Sequence, residues 1–147
     1  MDEAGRVEAY RAFFRRCHEW LRPDGCLSLQ TIAYGTASRK DLNAFILDEI
    51  FPESDLPTLS EIVQACDGLF EILVVRNDRM DYARTFSEWS RRLDANRDAA
   101  LALIGESKLR AYEKYHGLFQ IGFHVGAMNL LRIGLRRLVG AGDGRRR

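Results

Sequence analysis

The sequence predicts an α/β fold, and three observations predict it. A helical stripe at residues 7–21 runs through Pro23-Asp24-Gly25 into an apolar, strand-like run at 26–32. A second such run, Leu69-Phe70-Glu71-Ile72-Leu73-Val74-Val75, comes after a short helix and an Asp67-Gly68 turn. Two long amphipathic patterns then separate it from an alternating segment at 128–138. Strands divided by helices and punctuated by Gly and Pro are the pattern of an α/β layer.

Each element has its own signal. In the first helix Val7, Tyr10, Phe13, Phe14, Cys17, Trp20 and Leu21 recur at helical spacing, with charged residues largely off that stripe. The Pro-Asp-Gly turn ends the helix. Residues 41–50 read as a short amphipathic helix with Leu42, Phe45, Ile46 and Ile50 on one side. Pro52 and Pro57 break the next stretch. Thr58 or Ser60 can cap a helix reaching about Cys66, with Leu59, Ile62 and Val63 inward. After a polar stretch at 76–81, Phe86, Trp89, Leu93, Leu101 and Ile104 form one stripe, interrupted near Asn96. Leu109, Tyr112, Tyr115 and Phe119 mark a second long helix from Glu106 to about Gly122. Leu131, Ile133 and Leu135 alternate, so 128–138 reads as a strand despite Gly134. Residues 140–147 form a Gly-rich, Arg-ended tail expected to be disordered. The expected organisation is one domain over 1–139 followed by that tail.

Composition narrows the function classes. The net charge is +1 and the last three residues are arginine, so the body without them stands at −2. That balance does not suggest a nucleic-acid binder. Cys17, Cys26 and Cys66 show no C-x-x-C spacing, and three scattered thiols point to a reducing, cytoplasmic location. No apolar run approaches a membrane span. His18, His116 and His124 lack metal-ligand spacing, so no metal site is expected.

Two loop-like segments call for more than packing. They are Phe51-Pro52-Glu53-Ser54-Asp55-Leu56-Pro57 and Asn77-Asp78-Arg79-Met80-Asp81-Tyr82-Ala83-Arg84-Thr85. Loops on a rigid scaffold carry function. Phe45-Ile46, Glu49-Ile50-Phe51-Pro52 with Leu56-Pro57, and Tyr82-Ala83-Arg84-Thr85 with Trp89 are the most specific marks. With Leu21-Arg22-Pro23-Asp24-Gly25, Leu29-Gln30-Thr31-Ile32, Gly122-Phe123 and Asn129-Leu130, they occur in one order over most of the chain. In that order the sequence resembles the cyclopropane-fatty-acid synthase-like (mycolic acid cyclopropane synthase-like) S-adenosylmethionine-dependent methyltransferases. The resemblance implies the C-terminal half of a seven-stranded, Rossmann-like class I methyltransferase fold. It would hold strands five to seven, with a helical insertion before the last strand. It implies S-adenosylmethionine as cofactor, with the Gly-rich loop, the ribose-binding acid and an active-site cysteine of the family lying outside these residues. These residues alone are therefore expected to be inactive and to bind the cofactor weakly.

The implied reaction passes a methyl group to a carbon–carbon double bond. The resulting carbocation needs aromatic faces nearby and a base to remove a proton. In the resemblance that base is bicarbonate, held by a Glu, a His, a backbone amide and a Tyr. Tyr82 matches the tyrosine, its alternative being a core ring at a helix start. Ile32 matches the backbone contributor and would equally be strand core. Gln30 stands where many members have His; it exchanges hydrogen bonds but carries no proton at neutral pH. Plain C- or O-methylation of a lipid or secondary metabolite is therefore an equal expectation to ring closure. Glu3 falls at the glutamate, although its flanks depart from Phe-Glu-His-Val-Gly and a solvated acid is the alternative. Tyr34, Trp89, Phe119 and Phe123 are either acceptor-pocket or core residues, and His18 is expected to be solvated. The arginines at 132, 136 and 137 read as solvated, with peripheral contact to anionic lipid as the alternative. The partners implied are an unsaturated lipid or secondary-metabolite acceptor, and either the missing half of the fold or another copy of the chain. A non-catalytic paralogue that binds an intact methyltransferase is the competing reading.

Overall fold

A computed structural model describes residues 3–41, 50–51 and 55–139. The order is α1 (Glu3–Trp20), β1 (Cys26–Tyr34), a 3₁₀ turn (Arg39–Asp41), α2 (Leu59–Cys66), β2 (Phe70–Asn77), α3 (Arg79–Ala95), α4 (Arg97–Val125) and β3 (Met128–Arg137). The three strands make one sheet in the order β1-β3-β2. β3 runs antiparallel to β2, with Phe70 opposite Arg137 and Asn77 opposite Leu131. It also runs antiparallel to β1, because Arg137 N–H donates to Gly25 O at 2.8 Å while Gly35 N–H donates to Ala127 O at 2.9 Å. A β-bulge interrupts β2 between Ile72 and Val74. Gly134 belongs there for a steric reason: a Cβ on it would lie 2.8 Å from Val74 Cγ1.

The expected α/β elements are present, including the two helices inserted before the last strand. The bounds differ by a few residues; α1 begins at Glu3 and β1 continues to Tyr34. The short helix expected at 41–50 falls almost wholly outside the described residues, as does the tail. Contacts divide the chain into two units, 1–31 with 57–77 and 131–147, and 32–56 with 78–130.

In the first unit α1 packs on α2, and two arginines of α1 hold the two ends of α2. Thr58 caps α2 in a reciprocal box: Glu61 N–H donates to Thr58 Oγ1 at 3.2 Å, and Thr58 N–H donates to Glu61 Oε2 at 2.8 Å. The other carboxylate oxygen of Glu61 accepts from Arg6 Nε and Nη2, at 3.0 and 2.8 Å. Arg11 donates to the carbonyls of Ala65 and Asp67 at 3.3 and 3.0 Å, where the helix leaves its last acceptors open. Phe14, Ile62, Cys66, Phe70, Ile133 and Leu135 are buried in this unit. His18, expected to be solvated, instead sits edge-on to Phe70, and its Nε2 lies 2.9 Å from Leu138 O.

In the second unit α3 lies against α4. Arg79 donates to the carbonyls of Phe123 and His124 at 2.8 and 2.7 Å, closing the C-terminal end of α4. The interruption expected near Asn96 is real: its N–H donates to the carbonyls of Arg92 and Leu93, and α4 begins at the next residue. α4 is itself broken at Gly105, whose φ of 77° and ψ of 164° leave the helical region, so the long helix predicted from Glu106 starts where expected. Gly105→Ala puts a Cβ on a left-handed backbone and is expected to cost roughly 1–2 kcal/mol. Urea unfolding of the variant against the parent chain checks this.

Candidate functional site

α3 and α4 meet through aromatic rings, and the spacing of the sequence explains why. Tyr82, Phe86 and Trp89 stand at i, i+4 and i+7 on α3, so they share a face. On α4, Tyr112, Tyr115, His116, Phe119 and Phe123 repeat every three or four residues. Phe86, 0% exposed, is the centre. Its ring centroid lies 5.2 Å from Tyr82, 5.1 Å from Trp89, 5.4 Å from Tyr115, 5.8 Å from His116, 5.5 Å from Phe119 and 5.8 Å from Phe123. Tyr82 also meets Phe123 edge-to-face at 5.0 Å. Ile32, Ile50 and Leu56 pack against the same cluster.

The first distinctive segment is tied to this cluster. Phe51 reaches Tyr115 at 5.5 Å and Phe119 at 6.4 Å. Asp55 accepts from the Tyr34 hydroxyl at 3.1 Å and pairs with Arg39. Tyr34 is therefore a buried anchor for the loop. Residues 52–54 lie outside the described residues. In the second segment Ala83 is buried in the cluster, while Arg84 points outward to pair with Asp81 at 3.1 Å.

Of the four residues assigned to catalysis, Ile32 and Tyr82 come to the same cluster of the second unit. Tyr82 is half-buried, with its ring against Phe86, Trp89 and Phe123. Gln30 is exposed on β1, two residues before Ile32. Glu3 is exposed in the first turn of α1. An open groove of about 490 Å³ on α3 and α4, lined by Met80, Arg84, Ser87, Gln120, Ile121 and His124 among others, contains none of the four.

Burial sets the protonation of the cluster. It pushes the Tyr115 hydroxyl up to about 12, with Tyr82 and Tyr112 adding to the shift, so that phenol stays neutral. It also lowers His116 from the ordinary imidazole value. His116 Nδ1 is buried without a hydrogen-bond partner. Metal-ligand spacing gives no sign of this, because His116 has no ligand-type neighbours in sequence. Its place four residues after Tyr112 and three before Phe119 is the available signal. Since the folded pKa is depressed, the unfolded chain binds the extra proton first as pH falls. Stability is thus expected to decline below the unfolded histidine value of about 6.5, and His116→Phe is expected to flatten that decline. Urea midpoints measured across pH check both.

This ring-lined cluster, with a tyrosine at its margin, is what an electron-poor carbon centre needs. The family profile described as "Mycolic acid cyclopropane synthetase" matches residues 1–133.

The chain belongs to the mycolic acid cyclopropane synthetase family.

It is 35% identical over 130 residues to the S-adenosylmethionine-dependent methyltransferase UmaA of Mycobacterium tuberculosis, covering 77% of this chain and 44% of that protein. It is 31% identical over 121 residues to cyclopropane mycolic acid synthase 3 of the same species, covering 74% and 42%. Among solved structures, the cyclopropane synthase MmaA2 from Mycobacterium tuberculosis superposes with a TM-score of 0.80 at 27% identity, over 89% of this chain and 50% of that one. The mycolic acid cyclopropane synthase CmaA1, complexed with SAH and CTAB, gives 0.80 at 28% identity, over 88% and 50%. The chain thus spans about half the length of the relatives it matches. The fold is a partial class I methyltransferase fold, as the sequence led us to expect.

Proposed function

We propose that this chain forms the acceptor-binding portion of an S-adenosylmethionine-dependent methyltransferase of the cyclopropane-fatty-acyl-phospholipid synthase type. Its acceptor is an unsaturated lipid or a related metabolite. The observation that carries this reading is the ring cluster around Phe86, in which Tyr82 and Ile32 take part and, among the described residues, no charged side chain does. Methyl transfer to an alkene leaves positive charge on carbon. Ring faces in a dry setting favour that charge by about 2 kcal/mol or more. Apolar walls bury the chain that carries the alkene and exclude water. S-adenosylmethionine, when bound, supplies the electrophilic methyl group.

The residues that would hold a bicarbonate are the Tyr82 hydroxyl and the Ile32 backbone, with the Gln30 amide and Glu3 as the remaining pair. The first two fit a shared site at the cluster. Gln30 offers hydrogen bonds and no proton transfer. These residues by themselves are expected to bind S-adenosylmethionine weakly, and calorimetry showing micromolar affinity would count against that.

CTAB, bound by CmaA1, is a long-chain quaternary ammonium salt, and such molecules imitate a cation on an alkyl chain. The test uses the full chain carrying Trp20→Phe, which leaves Trp89 as its single tryptophan. Dodecyltrimethylammonium below its micellar concentration is expected to change Trp89 fluorescence saturably. Tyr82→Ala is expected to weaken binding about tenfold, whereas Tyr82→Phe, which keeps the ring, leaves it within about twofold. An unsaturable, non-specific response would contradict the reading.

The second reading is a non-catalytic paralogue docking on an intact methyltransferase. It is favoured by the exposed apolar run Ile72, Leu73, Val74 and Val75 on β2. Size-exclusion chromatography that shows a stable monomer would argue against it.

A further inference from the structure

Gln30 leaves the reaction without a titratable histidine at the expected position, yet the cluster contains an imidazole of its own. The His116 ring lies 5.8 Å from Phe86, 6.1 Å from Trp89, 6.3 Å from Tyr112 and 5.5 Å from Tyr115. Phe86 and Trp89 are also the ring neighbours of Tyr82, at 5.2 and 6.2 Å. Tyr82 and His116 thus flank the same two rings. Phe86 is fully buried, while Trp89 and Tyr112 are 40% and 43% exposed, so the imidazole sits between the packed floor and the solvent-facing rim. A buried nitrogen lone pair with no partner costs about 1–3 kcal/mol, and such groups persist where a ligand or a reaction uses them.

We propose that His116 Nδ1 is the proton acceptor of this methyltransferase, taking the role that Gln30 cannot fill. This rests on the acceptor-site reading. In the step, the methyl–sulfur bond breaks, its electron pair stays on sulfur, and the alkene electrons form the new carbon–carbon bond. A C–H bond of the methylated cation then breaks. Its electrons close the three-membered ring, and the proton passes to Nδ1 of the imidazole. Nε2 carries the resident hydrogen in this tautomer, so His116 ends as imidazolium and returns the proton to solvent. Burial supports the assignment, because it keeps the ring unprotonated and receptive at neutral pH.

The groups facing His116 make the test readable. On its own helix these are Tyr112 and Tyr115, the latter neutral because its pKa is pushed up to about 12. On α3 they are Phe86 and Trp89. Of the charged residues beside these in sequence, Glu88 is engaged by Arg91 and Arg92, and Glu113 by Arg97.

The experiment titrates the full Trp20→Phe chain with dodecyltrimethylammonium between about pH 8 and pH 5, with ¹⁵N NMR of the histidines alongside. A cation seated beside His116 must oppose its protonation, and the coupling is reciprocal. Affinity is expected to fall about tenfold towards pH 5, and bound probe is expected to depress the His116 titration by the matching amount. His116→Phe, which keeps a packed ring, and His116→Gln, which keeps a polar group, should both abolish the pH dependence while still binding at pH 8. A probe that binds with pH-independent affinity, or leaves the His116 resonance unmoved, overturns the proposal and spares the acceptor-site reading. A probe that does not bind at any pH overturns both.

Discussion

Replacing Phe86 with alanine is expected to remove about 3–5 kcal/mol of stability. Phe86 is fully buried and faces six other rings from α3 and α4. Truncation removes the transfer energy of a whole ring and opens a cavity whose walls cannot all close in. Those walls are held by two helices whose ends are fixed separately, at Asn96 and through Arg79. Phe86→Leu should cost much less, because volume-conserving changes are absorbed by repacking. Urea unfolding followed by near-UV circular dichroism, which reports the aromatic cluster, checks the pair. A loss below about 1 kcal/mol for the alanine variant would mean that α3 and α4 do not depend on this cluster.

The second large effect concerns Glu61, which is 2% exposed. One of its carboxylate oxygens closes the capping box with Thr58, and the other binds Arg6 through two nitrogens. Glu61→Ala removes the cap and strands a partly buried guanidinium, so a loss of about 2–4 kcal/mol is expected. The Arg6 side chain is 24% exposed and partly recovers water, which keeps the figure below that of a sealed ion pair. Glu61→Gln retains one hydrogen-bonding oxygen and should fall between. Adding Arg6→Ala to Glu61→Ala should then cost little more, since residues in one network are not additive. Denaturant midpoints of the single and double variants measure this.

Much of the fold is legible in the sequence because its signals are local. The Pro-Asp-Gly turn, the alternation over Leu131, Ile133 and Leu135, and the breaks near Asn96 and at Gly105 all arise from short-range backbone chemistry. Thr58 is readable as a cap, but its reciprocal bond with Glu61 and the reach of Arg6 across 55 residues are not. His18 reads as solvated because the helix pattern shows only its own face. Phe70 and the Leu138 carbonyl, which receive it, come from elsewhere in the chain. At the site, Tyr82 and Ile32 are found through the motifs around them and do meet one cluster. His116 escapes sequence reasoning because an imidazole among rings at helical spacing looks like ordinary core. Only the missing partner at Nδ1 sets it apart, and that is a tertiary fact.

If the rings around Phe86 receive a cation carried on an apolar chain, the charge itself must contribute to binding. The decisive comparison sets dodecyltrimethylammonium against a neutral chain of the same shape, in which a quaternary carbon replaces the nitrogen, on the intact Trp20→Phe chain at neutral pH. Binding of the cation at least about tenfold tighter, worth about 1.4 kcal/mol, is the expected result. Equal affinity for the two chains would reveal a hydrophobic surface that does not distinguish charge, and the acceptor-site reading would fall.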